Sequence, residues 1–266
     1  MLYRFKIIVW YLLRPLFWEH SLDLVKRKFI LNKKSESKQG LVWAQENSNS
    51  LLNAFKKLDL NFTEESLKLK INEDLIDNGN KLIKNSQIKM DSSVNSKELA
   101  GKAYIDLLYI ITLITETRFV IETGVGYGWS SLAILNALSE KNEVKGLISI
   151  DMPYPSTKSN EYVGIVIPNH LKEKWKLVRL PDKPGIKLTI KNNLEKFDLA
   201  HYDSDKSIWG REYGYELLWN GLRKGGILIS DDIENNLSFS RFIKRKESRF
   251  AVIKNDNKYI GITIKE

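Results

Sequence analysis

The chain has 266 residues, of which 42% are hydrophobic, which is enough for one large core or for a core with a small subdomain. It contains no cysteine, which excludes a disulfide framework, a thiolate zinc site and a cysteine nucleophile, and which fits a reducing, cytoplasmic location. The net charge of +9 is concentrated in residues 1–40, which carry nine basic and three acidic side chains. Because the rest of the chain is nearly balanced, we expect no nucleic-acid partner.

The amino-terminal segment mixes aromatic, aliphatic and basic residues. Its uninterrupted apolar stretch, Ile7 to Leu13, is too short to cross a bilayer, and no small-residue cleavage site of a signal peptide follows it. Residues 1–35 are therefore expected to be basic and amphipathic. Two roles stay open for them: contact with an anionic membrane at its inner face, or packing on the body of the protein or on a second subunit of a homo-oligomer.

Helical periodicity dominates the first third of the chain. Apolar spacing predicts helices over residues 41–58 and 72–88, and a stronger helix over 96–115. We therefore divide the chain into an amino-terminal helical region, residues 1–95, and a second domain, residues 96–266.

Beyond residue 117, short apolar runs alternate with helical segments. The candidate strands are residues 118–122, 147–151, 176–179, 197–202 and 226–230, and the candidate helices lie at about 128–139, 168–175 and 209–222. Fully apolar strands that alternate with helices predict an α/β fold, with a parallel sheet covered on both faces. The tail departs from this order, because two apolar runs flank Asn255-Asp256-Asn257 and so predict an antiparallel hairpin.

A glycine-rich segment, Glu122-Thr-Gly124-Val-Gly126-Tyr-Gly128, follows the first candidate strand and precedes a helix. Alternate glycines let the backbone approach a ligand, and a helix amino terminus offers free N–H groups. A dinucleotide fingerprint would need a third glycine at Trp129, and the Gly-Lys-Ser/Thr of a phosphate-binding loop is absent. The carboxylate of Glu122 would repel a pyrophosphate but attract a positively charged amino acid group.

A second acid, Asp151, ends the second candidate strand. A carboxylate at that place can accept hydrogen bonds from both hydroxyls of a ribose. A ribose and an amino acid without phosphates describe S-adenosylmethionine. The sequence therefore predicts an S-adenosylmethionine site built from the glycine loop, Glu122 and Asp151, with Ser130 and Asp203 as further binding residues.

These motifs resemble those of class I S-adenosylmethionine-dependent methyltransferases over about residues 95–266. The resemblance is carried by the stretches ETGVGYGWSS, SIDMP, LAHYDSD and LRKGGILISDDI, which are similar to a branch often found with surface-polysaccharide and sugar-modification enzymes. It implies a Rossmann-like, doubly wound sheet of seven strands, mostly parallel, whose last hairpin is reversed. It also implies O-methylation of a sugar, a glycan or another polyhydroxy acceptor, in polysaccharide biosynthesis.

Four acidic residues follow two strands that are neighbours in such a sheet. They are Asp203 and Asp205 after the fourth candidate strand, and Asp231 and Asp232 after the fifth. Because the carboxyl ends of neighbouring parallel strands meet at one rim, we expect these carboxylates to converge beside the glycine loop. Crowding of like charge is costly unless a cation neutralises it or a carboxylate takes up a proton. Oxygen ligands favour Mg²⁺, Mn²⁺ or Ca²⁺ over zinc.

The same segments resemble the metal-dependent catechol and caffeoyl-coenzyme A O-methyltransferases. That resemblance implies Mg²⁺ or Mn²⁺ ligands at Asp203, Asp231 and Asp232, and it implies a catalytic base at Lys206. The sequence departs from the family at Asp232, where the family has asparagine. We expect neighbouring cations to lower the pKa of Lys206 so that it can take a proton from a metal-bound hydroxyl. His201 is the reserve candidate for the base.

The helix that follows this segment allows two interpretations. Trp209, Arg211 and Tyr213 can line the acceptor pocket, or Trp209, Tyr213 and Leu217 can form one core-facing stripe at helical spacing.

Two other functions compete with methyl transfer. A nicotinamide-dependent oxidoreductase is disfavoured by Trp129 and Glu122, and a non-catalytic, membrane-tethered module that binds a nucleoside would not need Lys206 and its acidic neighbours.

Overall fold

The structure is a computed structural model, and it describes residues 2–30, 36–89, 99, 102, 104–155 and 158–266. Within these ranges the chain forms one mixed sheet with helices on both faces. No helix in them is long and apolar enough to cross a membrane.

The first described part of the chain is helical. It contains α1 (Leu2–Leu12), α2 (Trp18–Ile30), α3 (Ser37–Glu46), α4 (Leu51–Lys57) and α5 (Glu73–Lys89), with 3₁₀ turns at Pro15–Phe17 and Ser66–Lys68. The helix predicted over 72–88 is confirmed by α5. The single helix predicted over 41–58 is wrong, because α3 ends before a two-residue strand, β1 (Ser48–Asn49), and α4 begins anew. The hydroxyl of Ser50 caps α4 by accepting a hydrogen bond from the N–H of Asn53 at 3.3 Å.

Helix α6 (Ile105–Ile114) agrees with the end of the helix predicted over 96–115, whose first residues lie mostly outside the described part of the chain. The predicted domain boundary after residue 95 also lies outside it. Ala54, Phe55 and Leu58 of the amino-terminal region nevertheless belong to the same buried cluster as residues of the sheet. The amino-terminal helices therefore share a core with the second domain.

The sheet has eight strands in the described residues. After β1 they are β2 (Phe119–Thr123), β3 (Gly146–Ile150), β4 (Trp175–Val178), β5 (Phe197–Tyr202), β6 (Leu222–Ser230), β7 (Phe250–Asn255) and β8 (Lys258–Ile264). Their order is β1-β7-β8-β6-β5-β2-β3-β4; β8 runs antiparallel to β6 and β7, and the other pairs are parallel. The doubly wound α/β fold with a reversed hairpin is thus confirmed. The expected seven strands become eight because Ser48 of β1 pairs with Val252 of β7.

Helices connect the strands and cover both faces of the sheet. They are α7 (Trp129–Ser139), α8 (Asn169–Lys172), α9 (Asp182–Lys191), α10 (Ile208–Gly221) and α11 (Ser238–Lys246). The sequence pattern did not predict α9 and α11. Alternate residues of a strand point to opposite faces, so Val120 of β2 joins the apolar cluster with α6 and α7, and Ile121 joins the cluster with α9, α10 and α11.

Candidate active site

A cavity of about 470 Å³ opens at the carboxyl-terminal ends of the central strands. Each of these strands contributes lining residues from the loop that follows it: Gly124 and Gly126 after β2, Asp151 after β3, Asp182 after β4, Asp203 and Lys206 after β5, and Asp231 and Asp232 after β6. The chain runs from β2 outward through β3 and β4, and then returns to the other side of β2 as β5. Loops diverge at such a reversal of strand order, and the crevice between them is the usual ligand site of this fold class.

The loop between β2 and α7 turns through backbone conformations that favour glycine. Gly124 and Gly126 have φ values of +81° and +52°. A Cβ atom at Gly124 would lie 2.3 Å from the carbonyl oxygen of Asp203, and one at Gly126 would lie 2.3 Å from that of Leu99. Both glycines line the cavity, whereas Gly128 is the N-cap of α7 and supports the turn. At both positions any side chain would collide with a backbone carbonyl oxygen, so only glycine fits. We call Gly124 and Gly126 the glycine cradle.

Asp151 fixes this loop from the end of β3. One oxygen accepts a hydrogen bond from the N–H of Val125 at 3.1 Å, and the other pairs with Arg179. Burial raises the pKa of Asp151, although the charge of Arg179 and the hydrogen bond from Val125 oppose this effect. Asp151 lines the cavity together with Ser130 from the first turn of α7. The structure thus brings Asp151 and Ser130, two of the residues predicted to bind the cofactor, to the glycine cradle.

Glu122 lies beneath the cradle and is fully buried. One carboxylate oxygen accepts hydrogen bonds from Ser131 at 2.5 Å and Ser149 at 2.7 Å, and the other lies 3.3 Å from Nδ1 of His201. Glu122 is not one of the described residues that line the cavity. The predicted pairing of Glu122 with a cofactor ammonium therefore does not agree with this arrangement, because neighbouring side chains already take up both oxygens.

His201 is fully buried between two carboxylates. Its Nδ1 faces Glu122, and its Nε2 lies 3.7 Å from Asp231. Burial by itself would lower the pKa of His201, but the neighbouring carboxylates of Asp231 and Glu122 outweigh burial and raise the pKa to about 10. At neutral pH His201 already carries its proton, so its surroundings do not suit the predicted role of reserve base.

Lys206 joins the acidic residues of two strand ends. Its ammonium pairs with Asp203 and lies 2.8 Å from an oxygen of Asp232. Lys258 of β8 lies 2.8 Å from the other oxygen of Asp232. Burial tends to lower the pKa of Lys206, but the charges of Asp203 and Asp232 outweigh burial and raise it above its ordinary value. The predicted lowering of this pKa is therefore wrong, and Lys206 keeps its proton at neutral pH.

The predicted metal ligands Asp203, Asp231 and Asp232 do meet at one rim of the cavity. In the ranges that the structure describes, however, no group of three or more His, Cys, Asp or Glu side chains is arranged to hold a metal ion. Ammonium groups supply the neutralising charge instead, since Lys206 contacts two of the carboxylates and Lys258 contacts one. The carboxylates do not fit a divalent metal as they are placed here, and metal assistance stays a prediction.

Arg211 holds the turn after β6. It is fully buried and donates from Nη2 to the carbonyl oxygens of Asp231 at 3.0 Å and Asp232 at 2.7 Å. Asp232 has a left-handed backbone, with φ of +54°, which few non-glycine residues adopt. Arg211 therefore fixes the backbone of the turn at Asp231 and Asp232, and it does not line the cavity.

The other predicted residues of α10 divide between cavity and surface. Tyr213 lines the cavity, whereas Trp209 is exposed. The core-facing residues of α10 include Tyr215 and Leu218, and Leu217 packs only at the edge of that cluster. Of the three residues predicted to line the acceptor pocket, only Tyr213 does so. The alternative, a core-facing stripe of Trp209, Tyr213 and Leu217, is wrong.

Asp182 is a cavity residue that the sequence did not reveal. It begins α9, is buried, and accepts a hydrogen bond from the hydroxyl of Ser204 at 2.5 Å. Burial raises the pKa of Asp182 to about 6, although the hydrogen bond from Ser204 opposes this. An acid a few residues beyond a candidate strand is a weak signal, and α9 was itself not predicted.

Helix α2 supplies the remaining wall of the cavity. His20, Leu24 and Arg27 line it. Arg27 donates from Nη1 to Asp205 at 2.6 Å and to Ser207 at 3.2 Å, while its buried Nε and Nη2 have no hydrogen-bond partner among the described residues. The sequence placed Asp205 at this rim but could not place an amino-terminal helix beside it.

Comparison with known proteins agrees with this geometry. Residues 121–233 match a family model described as a methyltransferase domain. The match begins within β2 and continues past β6 to Ile233, so it contains the glycine cradle and every acidic residue of the rim described above. Over residues 121–233 the chain is therefore similar to a methyltransferase domain. No curated protein sequence matches the chain significantly.

Solved structures share the fold of this chain. The O-methyltransferase TomG from Streptomyces achromogenes, in complex with S-adenosylmethionine, is 14% identical over 84% of this chain and 99% of its own, with a TM-score of 0.54. A methyltransferase from Geobacter sulfurreducens is 14% identical over 75% of this chain and 92% of its own, with a TM-score of 0.53. An O-methyltransferase from Bacillus cereus, in complex with S-adenosylhomocysteine, is 11% identical over 84% of this chain and 100% of its own, with a TM-score of 0.51. At these identities the likeness establishes a common fold.

Proposed function

We propose that the chain is an S-adenosylmethionine-dependent O-methyltransferase whose acceptor is a sugar or another polyhydroxy compound. One observation carries the proposal: in the segment that matches the methyltransferase family model, the glycine cradle and Asp151 line the same cavity as Lys206 and its neighbouring carboxylates. The O-methyltransferases from B. cereus and S. achromogenes share its fold and hold S-adenosylhomocysteine or S-adenosylmethionine.

The lining of the cavity fits this cofactor. Gly124 and Gly126 leave room for close backbone approach, and Asp151 offers a carboxylate for the hydroxyls of a ribose. The buried carboxyl of Asp182 can accept a hydrogen bond from an amino group such as that of adenine. When bound, S-adenosylmethionine supplies a methyl group that its sulfonium already activates for attack by a nucleophile.

Lys206 and Asp203 have complementary tasks at the acceptor oxygen. As the oxygen–methyl bond forms and the sulfur–methyl bond breaks, the acceptor hydroxyl must release its proton. The Lys206 ammonium can stabilise the negative charge that develops on that oxygen. Burial and the charge of Asp231 raise the pKa of Asp203, against the opposing charge of Lys206, which makes its carboxylate a better proton acceptor than an ordinary aspartate. Asp203 thus takes the base role that was predicted for Lys206.

The acceptor side of the cavity suits a compound rich in hydroxyl groups. Tyr154 and Tyr213 contribute aromatic side chains, and Arg27 and Asp205 contribute charged hydrogen-bonding groups. Arg27 also brings a positive charge to this wall, next to Asp205. A sugar offers both the hydroxyl groups and the C–H faces that such a lining can bind.

Methyl transfer and cofactor choice are tested together. Purified protein is incubated with S-adenosylmethionine that carries a labelled methyl group and with a panel of sugars, nucleotide sugars and glycans, and O-methyl products are identified by mass spectrometry. S-adenosylhomocysteine and NAD are titrated in parallel by calorimetry. Label on a hydroxyl together with S-adenosylhomocysteine binding supports the proposal. Binding of NAD alone would identify an oxidoreductase, and S-adenosylhomocysteine binding without transfer to any acceptor would favour a non-catalytic module.

A further inference from the structure

The amino-terminal helices carry an apolar surface that the fold leaves uncovered. Fifteen large apolar side chains are exposed in the described residues, and eight of them lie in residues 8–25. These eight are Ile8, Leu12, Leu13, Leu16, Trp18, Leu22, Leu24 and Val25. Three of them, Trp18, Leu22 and Val25, follow helical spacing on α2 and form what we call the outer stripe. So many exposed apolar side chains in one short segment mark an interaction surface.

Helix α2 has two functionally different faces. The outer-stripe residues are 51%, 60% and 54% exposed. His20, Leu24 and Arg27 repeat the same spacing about half a helical turn away and line the cavity. Asp23, on that inner side, is buried and lies 3.6 Å from Lys183 of α9. One face of α2 is thus fixed to the active site, and the other is turned away from the protein.

Charge identifies the partner of the outer face. Residues 1–40 hold nine basic and three acidic side chains, whereas the rest of the chain is nearly balanced. Arg14, in the turn before α2, and Lys26, beside the outer stripe, are both exposed. An apolar face flanked by basic and aromatic side chains is the pattern of a helix that lies in the interface of an anionic membrane. Pairing with a second copy would bring two basic surfaces together, which electrostatic repulsion opposes.

We propose that the outer stripe and the exposed apolar residues of α1 and the following turn dock on an anionic lipid surface, with the helices lying in the interface. Because the inner face of α2 lines the cavity, docking would hold this wall of the active site next to the lipid. The proposal concerns the surface alone and does not depend on the reaction that takes place in the cavity.

The test is co-sedimentation of the full chain with vesicles. One vesicle set contains phosphatidylcholine with about 30% phosphatidylglycerol, and the other contains phosphatidylcholine alone. The test variant combines Trp18→Gln, Leu22→Gln and Val25→Gln. A matched control combines Val42→Gln, Leu188→Gln and Leu194→Gln, which removes three exposed apolar side chains elsewhere. We expect wild type and control to bind anionic vesicles, less strongly at high salt, and the test variant to bind about tenfold more weakly or worse.

The outcomes separate the possible partners. Absence of wild-type binding to anionic vesicles overturns the proposal, and so does a test variant that binds like the control. If the wild type is instead an oligomer by light scattering and the outer-stripe variant is a monomer, with no vesicle binding by either, the surface is a contact between copies. Unchanged thermal midpoints establish that the variants fold. If the wild type binds anionic vesicles but does not bind S-adenosylhomocysteine, the proposed function is rejected and this inference stands.

Discussion

Arg27 and Asp205 are 178 residues apart in the sequence and are joined by a hydrogen bond of 2.6 Å. Both side chains are largely buried. The contact connects α2 to the loop after β5, and Glu19 of the same helix adds a second link at 2.7 Å from Lys183 of α9. The amino-terminal segment is therefore a wall of the active site as well as a carrier of exposed apolar residues.

The first prediction concerns this link. Arg27→Met and Asp205→Asn should each lower the free energy of unfolding, and their double-mutant cycle should show a coupling of about 1.5–3 kcal/mol, the range for a hydrogen bond to a charged group. Urea unfolding measures both quantities. The exposed pair Arg245 and Glu216 serves as the control, with an expected coupling within about 0.5 kcal/mol. A coupling at Arg27 no larger than that of the surface pair would show that α2 is held by other contacts.

The second prediction concerns the cofactor. Asp151→Ala should weaken the binding of S-adenosylhomocysteine by about 1.5–3 kcal/mol, because a charged hydrogen-bond acceptor is removed from the ribose side of the cradle. Calorimetry on the purified variant measures the change. Glu195→Ala removes an exposed acid that pairs with Lys145 and should leave the affinity unchanged. Equal affinities for wild type and Asp151→Ala would remove Asp151 from the cofactor site.

The third prediction concerns the ammonium at the rim. Lys206→Met should lower the rate of methyl transfer by about 10²–10³-fold, the usual loss when one group that stabilises developing negative charge is removed. Cofactor affinity should change little. Lys258→Met is the matched control, since in the described part of the chain its ammonium pairs with Asp232 alone and its side chain is mostly exposed, and it should have a smaller effect. Single-turnover rates and cofactor titrations together distinguish a lost chemical step from lost binding.

The fourth prediction separates the lysine arrangement from the metal site inferred from the sequence. Since Lys206 and Lys258 already neutralise the carboxylates, methyl transfer should continue in excess chelator. Metal assistance by Mg²⁺ or Mn²⁺ predicts the reverse, with activity lost on chelation and restored by the added ion. Cofactor binding measured in the same chelator controls for damage to the fold. Loss and recovery of activity would mean that Lys206 moves away from Asp203 and Asp232 when a metal binds.

The fifth prediction concerns pH. The pKa of His201 is about 10 in the folded protein and near 6.5 in an unfolded chain. A raised pKa means that the stabilisation is complete below about pH 6.5 and is lost as the pH rises through about 10. The free energy of unfolding should therefore fall between pH 7 and 10 by an amount on the order of a few kcal/mol. Glu122→Gln should flatten this dependence, while substitution of the exposed His170 by Gln should not alter it.

Local patterns predicted much of the fold. The strand predicted over residues 197–202 coincides with β5, and the turn at Asn255-Asp256-Asn257 joins β7 and β8 as expected. Each of these signals is carried by residues that are adjacent in the chain, so no tertiary information was needed. The glycine cradle and Asp151 were found for the same reason, since each follows the end of an apolar strand.

The errors arose where distant residues decide the outcome. The predicted pKa of Lys206 assumed nearby cations, but Lys206 pairs with Asp203, three residues away, and with the distant Asp232, whose turn Arg211 holds. The sequence also does not show that Ser131, Ser149 and His201 converge on Glu122, whose binding to the cofactor stays a prediction. Helical periodicity over 41–58 could not reveal β1, because the partner that makes it a strand, β7, lies some 200 residues further along the chain.

The two-residue strand β1 lies at the edge of the sheet, so removing it from a shortened chain would expose the next strand. It covers the outer side of β7, whose Ala251, Val252 and Ile253 are apolar and buried. A strand of this kind with unpaired backbone groups is a template for intermolecular pairing, and proteins avoid leaving one bare. A fragment that begins at residue 96 would lack this cover and should precipitate or associate edge to edge. Expression of a shortened chain should therefore begin before Ser48, even though residues 121–233, which match the methyltransferase family model, lie far beyond it.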